Sequence, residues 1–393
     1  MKVLYLSTVC SIRTLVAISE QIGSTLTSLT IQKFHRLILK GFVKNNTTIE
    51  ILSTPPSISD NYSIELTDQE DGIRYNYIKN YKISFVRYLY TFFYTFFFIV
   101  KWHRKNRHTE HIVICDVLNV SLLLGACLSR LFKCKVVGIV TDMPGMMITD
   151  NTNFVNRIIR KINFCFLRKL SGYVFLTQAM NDVINIKSKP YIVVEGLVDI
   201  DMAVMTVDTS VRKTRNLLYA GGIDERYGLA MLIDAFRLIE GDDLRLNIYG
   251  RVGNMPHEMS YYEKLDSRFH YMGILPNEDI VEAELNATLL INPRPSKEEF
   301  TKYSFPSKNM EYMVSGTPVL TMALPGMPKE YYSKLFVCYD ETPQGLAQSI
   351  SSILNLPREQ LRAKGLDGKQ FVLDQKNNVI QTEKILRLIK DVL

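Results

Sequence analysis

Short apolar runs alternate with longer amphipathic stretches along the whole chain. In the first half, the apolar runs predict strands at residues 3–7, 50–53, 74–78, 112–115, 136–141, 173–176 and 192–195. In the second half, they predict strands at residues 217–220, 245–249, 270–272, 289–292, 319–322 and 335–339. The intervening stretches, such as residues 30–45, place apolar residues at helical spacing. Strands that alternate with helices in this way are typical of parallel α/β layers, so the pattern predicts two similar strand–helix halves.

The length of the chain also indicates two domains. Its 393 residues exceed one ordinary core and fit two domains of roughly 200 residues each. The turn at residues 195–199 marks the divide, so we expect one domain at residues 1–199 and a second at residues 200–376. A linker at residues 200–214 leads into the second domain, and the apolar spacing of residues 377–393 predicts a final helix.

Composition is that of a globular protein, with 47% hydrophobic and 22% charged residues. The six cysteines show no metal-ligand spacing, which favours buried free thiols in a reducing cytosol. Residues 1–7 form a predicted first strand and lack the apolar region and the cleavage site of a signal peptide. A cytoplasmic location is therefore expected.

An aromatic run at residues 92–100 precedes a basic run at residues 101–108. The apolar length is about a dozen residues, short of the roughly 20 that span a bilayer. One interpretation is a core helix of the first domain that ends in a solvated basic turn. The other is a contact with the inner membrane face, with aromatic side chains in the interface and basic ones on anionic lipid. Because the basic residues are confined to one run, nucleic-acid binding is not expected.

The most informative segment lies at residues 303–320, which predict a loop, a short helix, a turn and a buried strand. Pro306 suits the first turn of a helix, and Gly316 suits a left-handed helix end. The free N–H groups at this helix start, near Ser307 and Lys308, favour an anion such as phosphate. Glu311, one turn further on, can accept hydrogen bonds from both hydroxyls of a ribose. The alternative is a capped helix that only packs on a sheet.

A second phosphate candidate is the turn after the first strand of the second half. Gly221 and Gly222 follow residues 217–220 there and precede a predicted helix. A tight glycine turn at this place lets backbone N–H groups approach a phosphate group. The two segments together predict a site for a nucleoside diphosphate.

The run Phe-Pro-Ser-Lys-x-x-Glu-Tyr-Met-x-x-Gly-x-Pro-Val at residues 305–319 resembles the donor-site segment of GT-B glycosyltransferases, in particular the retaining enzymes of family 4. The resemblance implies two Rossmann-like domains, with a C-terminal helix that crosses back onto the N-terminal domain. It also implies an active site in the cleft between the domains. The role that it gives to Glu311 is to hold the ribose of a nucleotide sugar.

The chain departs from the family pattern at two places. The usual Glu-x7-Glu pattern is broken, because Tyr303 stands eight residues before Glu311, and the nearest acidic candidates beside the sugar are Glu298 and Glu299. In the glycine turn, the family's Arg and Lys are replaced by Gly222 and Tyr227. We expect Arg226 or Lys308 to supply the missing positive charge; the alternative for Arg226 is a solvated surface residue.

Other donor-site candidates follow neighbouring strands. Arg251 ends the strand at residues 245–249, and Arg294 follows the strand at residues 289–292. Residues 273–280 resemble the family segment at the nucleobase edge, so the backbone near Ile274 and Leu275 is expected to contact the base.

On the acceptor side, Asp142 follows the strand at residues 136–141, in a place where many relatives carry a histidine. It is a candidate for orienting an acceptor hydroxyl or acting as a base, and its alternative is a helix cap. Asp116, Gln32 and His35 are weaker candidates near the same cleft. No Asp-x-Asp motif stands at a strand end, so neither a metal nor a cofactor is expected, and cationic side chains and helix N-termini would neutralise the diphosphate.

The resemblance therefore implies a retaining glycosyltransferase that uses a nucleotide-diphosphate sugar, with a UDP-sugar as the first expectation. The acceptor is expected to be a glycan or a lipid-linked sugar in cell-surface polysaccharide synthesis. A nucleotide-sugar epimerase of the same fold and a non-catalytic nucleotide-sugar-binding component of a glycan-assembly complex are the alternatives.

Overall fold

A computed structural model describes residues 1–22, 30–56, 62–144, 154–204 and 214–393. The strands are β1 Lys2–Ser7, β2 Thr48–Ser53, β3 Thr67–Glu70, β4 Ile73–Tyr77, β5 His111–Asp116, β6 Val136–Val140, β7 Gly172–Phe175, β8 Tyr191–Val193, β9 Arg215–Ala220, β10 Leu244–Tyr249, β11 Phe269–Gly273, β12 Leu289–Asn292, β13 Val319–Met322 and β14 Phe336–Cys338. The helices are α1 Ile12–Ile22, α2 Thr30–Lys44, α3 Ser84–Asn106, α4 Val120–Ser129, α5 Phe154–Leu167, α6 Gln178–Ile184, α7 Leu229–Arg237, α8 Met259–Leu265, α9 Asn277–Leu285, α10 Ser307–Ser315, α11 Pro343–Leu354, α12 Arg358–Gln375 and α13 Asn378–Val392.

The chain divides into two compact units. The first contains residues 1–197 together with residues 378–393, and the second contains residues 198–377. Most of the predicted linker, residues 205–213, and part of the predicted acceptor loop, residues 145–147, lie outside the described residues.

The first unit is built on an eight-stranded sheet in the order β3-β4-β2-β1-β5-β6-β7-β8. Its strands are parallel except for β3, which pairs antiparallel with β4. Strands β1 and β6 are apolar and almost wholly buried, as strands covered on both faces by helices must be. The polar strand β3 is the one element of this sheet that the apolar pattern did not predict, because its sequence Thr-Asp-Gln-Glu has no apolar residue.

The second unit is a six-stranded parallel sheet in the order β11-β10-β9-β12-β13-β14. Counted along the chain, this is the order 3-2-1-4-5-6 of a doubly wound nucleotide-binding fold. The thirteen strands expected from the apolar runs are present in the two sheets within a residue or two of the predicted ends. The prediction of two parallel α/β domains is confirmed.

Helix α13 belongs to the first unit, where it packs on α2. Gly41 on α2 makes this approach close, since a Cβ there would lie 2.1 Å from the carbonyl oxygen of Asn378. The side-chain amide of Asn45 donates to the carbonyl of Val379 at 2.9 Å. The last helix of the chain therefore completes the packing of the first unit.

Helix α3 corrects one expectation about the aromatic run. The basic residues predicted to form a turn after the helix lie mostly inside it, because α3 continues to Asn106. One face of α3, with Thr91, Thr95, Ile99 and Trp102, is buried. Among the helices that the structure describes, none has both the length and the apolar character to cross a membrane. Five of the six cysteines are buried, and Cys165 is exposed.

Candidate functional site in the second unit

The candidate site lies at the carboxyl ends of β9 and β12, in the second unit. Strand order reverses between these two strands, because β9 has β10 on its other side and β12 has β13. Loops that leave neighbouring parallel strands at such a switch point diverge and form a crevice for ligands. In the part of the chain that the structure describes, β9 and β12 are matched only over Leu217–Leu218 and Leu289–Leu290. The carboxyl end of β9 therefore needs another hydrogen-bond partner on this side.

Tyr312 of α10 supplies that partner. Its hydroxyl accepts a hydrogen bond from the backbone N–H of Ala220 at 2.7 Å and lies 3.2 Å from the Ala220 carbonyl, to which it donates. Tyr312 is wholly buried, and burial raises its pKa well above the usual range, so the hydroxyl keeps its proton. The side chain thus attaches α10 to the last residue of β9.

Asn309 attaches the same helix to the next two strands. Its side-chain oxygen accepts from the amide of Asn292 at 2.8 Å, and its nitrogen donates to the hydroxyl of Thr321 at 3.2 Å. Asn309 is completely buried, so these bonds are made away from water. Helix α10 is therefore held over β9, β12 and β13 by buried polar side chains.

The two ends of α10 follow the sequence prediction with one correction. Pro306 was expected in the first helical turn, but it is the residue just before the helix, which begins at Ser307. Gly316 ends the helix in the left-handed conformation, with φ of 85°, as predicted. Ser307 is exposed at the helix start, where the first N–H groups of a helix generally lack a partner within it.

Lys308 extends from this first turn to the glycine turn after β9. Its ammonium group donates to the hydroxyl of Tyr219 at 3.0 Å and lies 4.7 Å from the centre of the Tyr219 ring. A Cβ on Gly221 would lie 1.7 Å from the same Nζ atom. Gly221, with φ of 155°, therefore has to be glycine for the lysine to reach this place.

A third glycine, in the turn after β10, contacts the glycine turn after β9. A Cβ on Gly250, at the end of β10, would lie 1.8 Å from the carbonyl oxygen of Gly221. The φ of Gly250 is 137°. The glycine turns after β9 and β10 are thus in direct backbone contact, and Gly222 stays exposed beside them. This leaves an open stretch of backbone next to the ammonium group of Lys308.

The electrostatics of Lys308 are unusual for a lysine. Burial and the nearby guanidinium of Arg294 lower the pKa of Lys308 to about 8, while Glu311 and Tyr227 oppose that shift. The ammonium group is therefore poorly solvated and repelled by a like charge. A phosphate bound beside it would relieve both unfavourable contributions. Glu311 is partly buried and acts on Lys308 from one helical turn away.

The arginines at this edge differ in their surroundings. Arg226 is exposed and forms two 3.0 Å hydrogen bonds to the carboxylate of Asp224, so its charge is neutralised locally. The same contact holds the pKa of Asp224 below its usual range. Arg251 is exposed, and its backbone carbonyl accepts from Ile223. Arg294 lies with its guanidinium carbon 5.3 Å from the Tyr227 ring centre and 4.8 Å from that of Phe300.

The remaining donor-site candidates lie at the rim of the same unit. Ile274 and Leu275 follow β11 and are exposed apolar residues. Glu298 is partly buried and acts electrostatically on Arg226, whereas Glu299 is exposed at the start of a short 3-10 helix, Glu299–Lys302. The structure thus brings Lys308 and Glu311 together near the glycine turn.

In the first unit, Asp142 follows β6 and is partly buried. Asp116, at the end of β5, faces His35 at 3.3 Å, and the other ring nitrogen of His35 is 2.6 Å from the hydroxyl of Tyr5. His35 and Asp116 are both buried within the first unit. Gln32 is buried as well and bonds to the backbone of Thr8 and Cys10, so it holds the loop after β1. Within the described residues, no cluster of three or more metal-binding side chains is present.

Comparisons with known proteins agree with this arrangement. The family model described as "Glycosyl transferases group 1" matches residues 214–356. No curated protein matches the sequence. Sucrose-phosphate synthase from Thermosynechococcus elongatus has a similar structure, with a TM-score of 0.70 at 12% identity over 100% of this chain and 99% of that one.

Two further solved structures are similar over the whole chain. HepE from Anabaena, in complex with UDP, has a TM-score of 0.64 at 12% identity and covers 99% of this chain and 100% of its own. The E. coli structure titled as trehalose-6-phosphate bound with UDP-2-fluoro glucose has a TM-score of 0.65 at 8% identity, with 100% of both chains covered. Residues 214–356 thus match a group 1 glycosyltransferase model, the chain has the GT-B fold, and the expected resemblance to GT-B glycosyltransferases is confirmed.

The contact between Tyr312 and Ala220 gives a first prediction. Tyr312→Phe removes the hydroxyl and leaves the partly buried N–H of Ala220 without this partner. We expect the free energy of unfolding to fall by about 1–3 kcal/mol, measured by urea denaturation. Tyr261→Phe removes a hydroxyl from a ring that is 43% exposed and serves as the matched control, with a change within about 0.5 kcal/mol. Equal stability of the two variants would show that Tyr312 does not hold α10 in place.

Proposed function

We propose that this chain is a retaining glycosyltransferase of family 4 type that takes its sugar from a nucleotide-diphosphate donor bound in the second unit. The observation that carries the proposal is the position of Lys308. This residue lies in the first turn of α10, which also contains Glu311, and its ammonium group lies against Gly221. An exposed helix start, a poorly solvated cation and an open glycine backbone are three kinds of donor that suit a diphosphate.

The roles of the single residues follow from their places. Lys308, Ser307 at the helix start and the backbone of Gly221 and Gly222 contact the two phosphates. Glu311 accepts hydrogen bonds from the ribose. It lies one helical turn beyond the proposed phosphate contacts, and the ribose is the group that follows the phosphates in the nucleotide. The backbone near Ile274 and Leu275 contacts the base, and Arg251 lines the same edge. The UDP and UDP-sugar ligands of the two similar structures support a UDP-sugar donor.

The chemistry of such a site rests on the leaving group. Charge develops on the departing diphosphate as the bond to the sugar breaks, and fixed cations and helix N–H groups stabilise it without reorganising. In this proposal, Lys308 and the start of α10 do this work without a metal ion. Glu298 or Glu299 lies beside the sugar, and Asp142 of the first unit orients the acceptor hydroxyl. The acceptor is a glycan or a lipid-linked sugar in cell-surface polysaccharide synthesis.

The location of the protein is part of the proposal, and helix α3 supports it. The side chains of Phe85, Tyr88, Phe93 and Phe97 on this helix are exposed, with Phe85 at 71% and Phe97 at 64%. Several large exposed apolar side chains in one segment are typical of interaction surfaces. In the segment after α4, Leu131 is 77% exposed, and the ring of Phe132 lies 5.8 Å from that of Phe96.

A basic cluster continues the same helix. It consists of Lys101, Arg104, Lys105 and Arg107, all exposed, and the guanidinium of Arg104 lies 5.6 Å from the ring centre of Phe132. Aromatic side chains beside lysine and arginine suit the interface of an anionic bilayer. The protein thus acts as a cytoplasmic enzyme that contacts the inner membrane face through α3, where a lipid-linked acceptor is available.

The proposed activity is tested by incubating the protein with a panel of nucleotide sugars and an acceptor preparation from membranes. We expect release of a free nucleoside diphosphate and a product whose anomeric configuration, read by NMR, matches that of the donor. Turnover should persist in excess EDTA. Formation of an epimerised nucleotide sugar would indicate an epimerase, and binding without turnover would indicate a non-catalytic component. Loss of turnover in EDTA that Mg²⁺ restores would contradict the metal-free mechanism.

The ribose contact gives a separate prediction. Glu311→Ala should leave the fold intact and weaken the binding of UDP by about 1.5–3 kcal/mol, because two charge-assisted hydrogen bonds are lost. Isothermal titration calorimetry measures the affinity, and circular dichroism checks the fold. Glu359→Ala, a change of an exposed glutamate on α12, is the matched control and should bind UDP as the unchanged chain does. An unaltered affinity in Glu311→Ala would remove this residue from the site.

The membrane contact is tested by flotation with vesicles. The chain should float with vesicles that contain anionic lipid at low salt, and high salt should release it through screening. Replacing Lys101, Arg104, Lys105 and Arg107 by Gln should abolish flotation, since each contributes roughly 1 kcal/mol near an anionic surface. Binding of UDP should stay unchanged, because the nucleotide site lies in the other unit.

The control for that experiment removes the same charge elsewhere. Lys264, Lys329, Arg358 and Arg362 are exposed residues of the second unit, and their replacement by Gln should leave flotation intact. If the unchanged chain ignores anionic vesicles even at low salt, α3 is not a membrane contact.

A further inference from the structure

We infer that Arg294 is the second cation of the diphosphate site. Together with Lys308, it supplies the positive charge for the diphosphate that the glycine turn lacks in this chain. The inference rests on the proposed function and adds a binding residue to it. The ligand group that it recognises is the diphosphate of a nucleoside diphosphate or a nucleotide sugar.

The need for a second cation follows from the charge of the ligand. A bound diphosphate carries at least two negative charges, and no more than one of them is balanced by Lys308. The glycine turn offers little help, because Gly222 has no side chain and Tyr227 has no cationic group. Arg226, the nearest arginine in that turn, is held in two hydrogen bonds by Asp224. A further cation must therefore come from another strand end.

Arg294 occupies the right place for this role. Its guanidinium and the ammonium group of Lys308 lie over the same Tyr227 ring, at 5.3 and 5.7 Å from the ring centre. Arg294 also contributes to the lowered pKa of Lys308, so the two cations are close enough to repel each other. Two like charges this near each other are unfavourable, and an anion bound by both would offset their repulsion. The pair therefore suits a doubly charged group.

The backbone around Arg294 is well fixed. The prolines Pro293 and Pro295 flank it, and a Cβ on Gly228 would lie 2.1 Å from the carbonyl oxygen of Pro293. The next N–H group, that of Ser296, donates to the carboxylate of Glu341 at 2.9 and 3.0 Å. The end of β12 is therefore packed against the start of α7 and anchored on its other side. The backbone at Arg294 therefore loses little conformational entropy when a ligand binds.

The aromatic contacts orient the side chain. The guanidinium of Arg294 is held against the rings of Tyr227 and Phe300. Contact with rings limits the movement of a guanidinium group, and the guanidinium group can bind phosphate oxygens in pairs. Arg294 thus combines the charge, the geometry and the fixed position that a diphosphate requires.

The test measures UDP affinity by calorimetry from pH 7 to pH 9.5 in the full chain. The charged groups that face Lys308 are Arg294 from the end of β12 and Glu311 from α10, and the titratable phenols are Tyr219 and Tyr227. Since the lowered pKa of Lys308 is about 8, its charged form is present below that pH. In the unchanged chain, affinity should fall by up to about tenfold per pH unit above that midpoint, as an anion binds the protonated lysine.

Arg294→Gln should change both quantities. UDP affinity at pH 7 should drop roughly ten- to hundredfold, because charge-assisted hydrogen bonds to phosphate are lost. The midpoint of the pH profile should move above 8, because the like charge that depresses the pKa of Lys308 has gone. Arg294→Lys keeps the charge and should leave the midpoint near 8 with an intermediate affinity. It also keeps the test valid if the glutamine variant fails to fold.

The matched control is Arg226→Gln, which removes the arginine already paired with Asp224 and should alter UDP affinity by less than about twofold. Lost affinity in Arg294→Gln with an unmoved midpoint would reduce Arg294 to a structural role. Unaltered affinity and midpoint would overturn the inference while the proposed function stands. If the unchanged chain binds none of UDP, GDP and ADP, the proposed function itself fails.

Discussion

The hydroxyl of Tyr312 replaces a strand partner for the last residue of β9, and the arrangement of the site depends on this contact. At a switch point, the inner edges of two neighbouring strands separate before they end, and the exposed backbone must be paired. A tyrosine from α10 provides the pairing and at the same time places the helix start beside the glycine turn. Lys308 lies one turn before Tyr312 on the same helix. The hydrogen bonds between Tyr312 and Ala220 therefore also position the lysine.

The second constraint is the removal of side chains where backbone segments meet. Gly221, Gly228 and Gly250 each have a positive φ and a neighbour that a Cβ would strike. The three glycines bring the ends of β9, β10 and β12 so close that cations from α10 and from the β12 end reach one aromatic ring. Close backbone packing thus brings two cations, Lys308 and Arg294, together at one edge of the parallel sheet.

The sequence predicted those parts of the fold and the site that depend on local pattern. Apolar runs gave thirteen strands because a parallel strand is buried on both faces, whereas β3 has no apolar residue and was not detected. The start and end of α10, with Lys308 and Glu311 on it, follow from Pro306 and Gly316. Contacts between distant segments were not visible in the sequence. The pairing of Arg226 with Asp224 and the stacking of Arg294 on Tyr227 and Phe300 depend on loop geometry, which spacing along the chain does not determine.

The position of α13 in the first unit bears on how the protein is made. A ribosome synthesises residues 198–377 before the helix that packs against Gly41 of α2. The second unit is continuous in sequence and can fold as soon as it emerges, while the first unit, although it is translated earlier, remains incomplete until residues 378–393 appear. Maturation of the earlier-made unit is therefore delayed by the length of the whole second unit. The face of α2 that α13 covers stays without this partner during that interval.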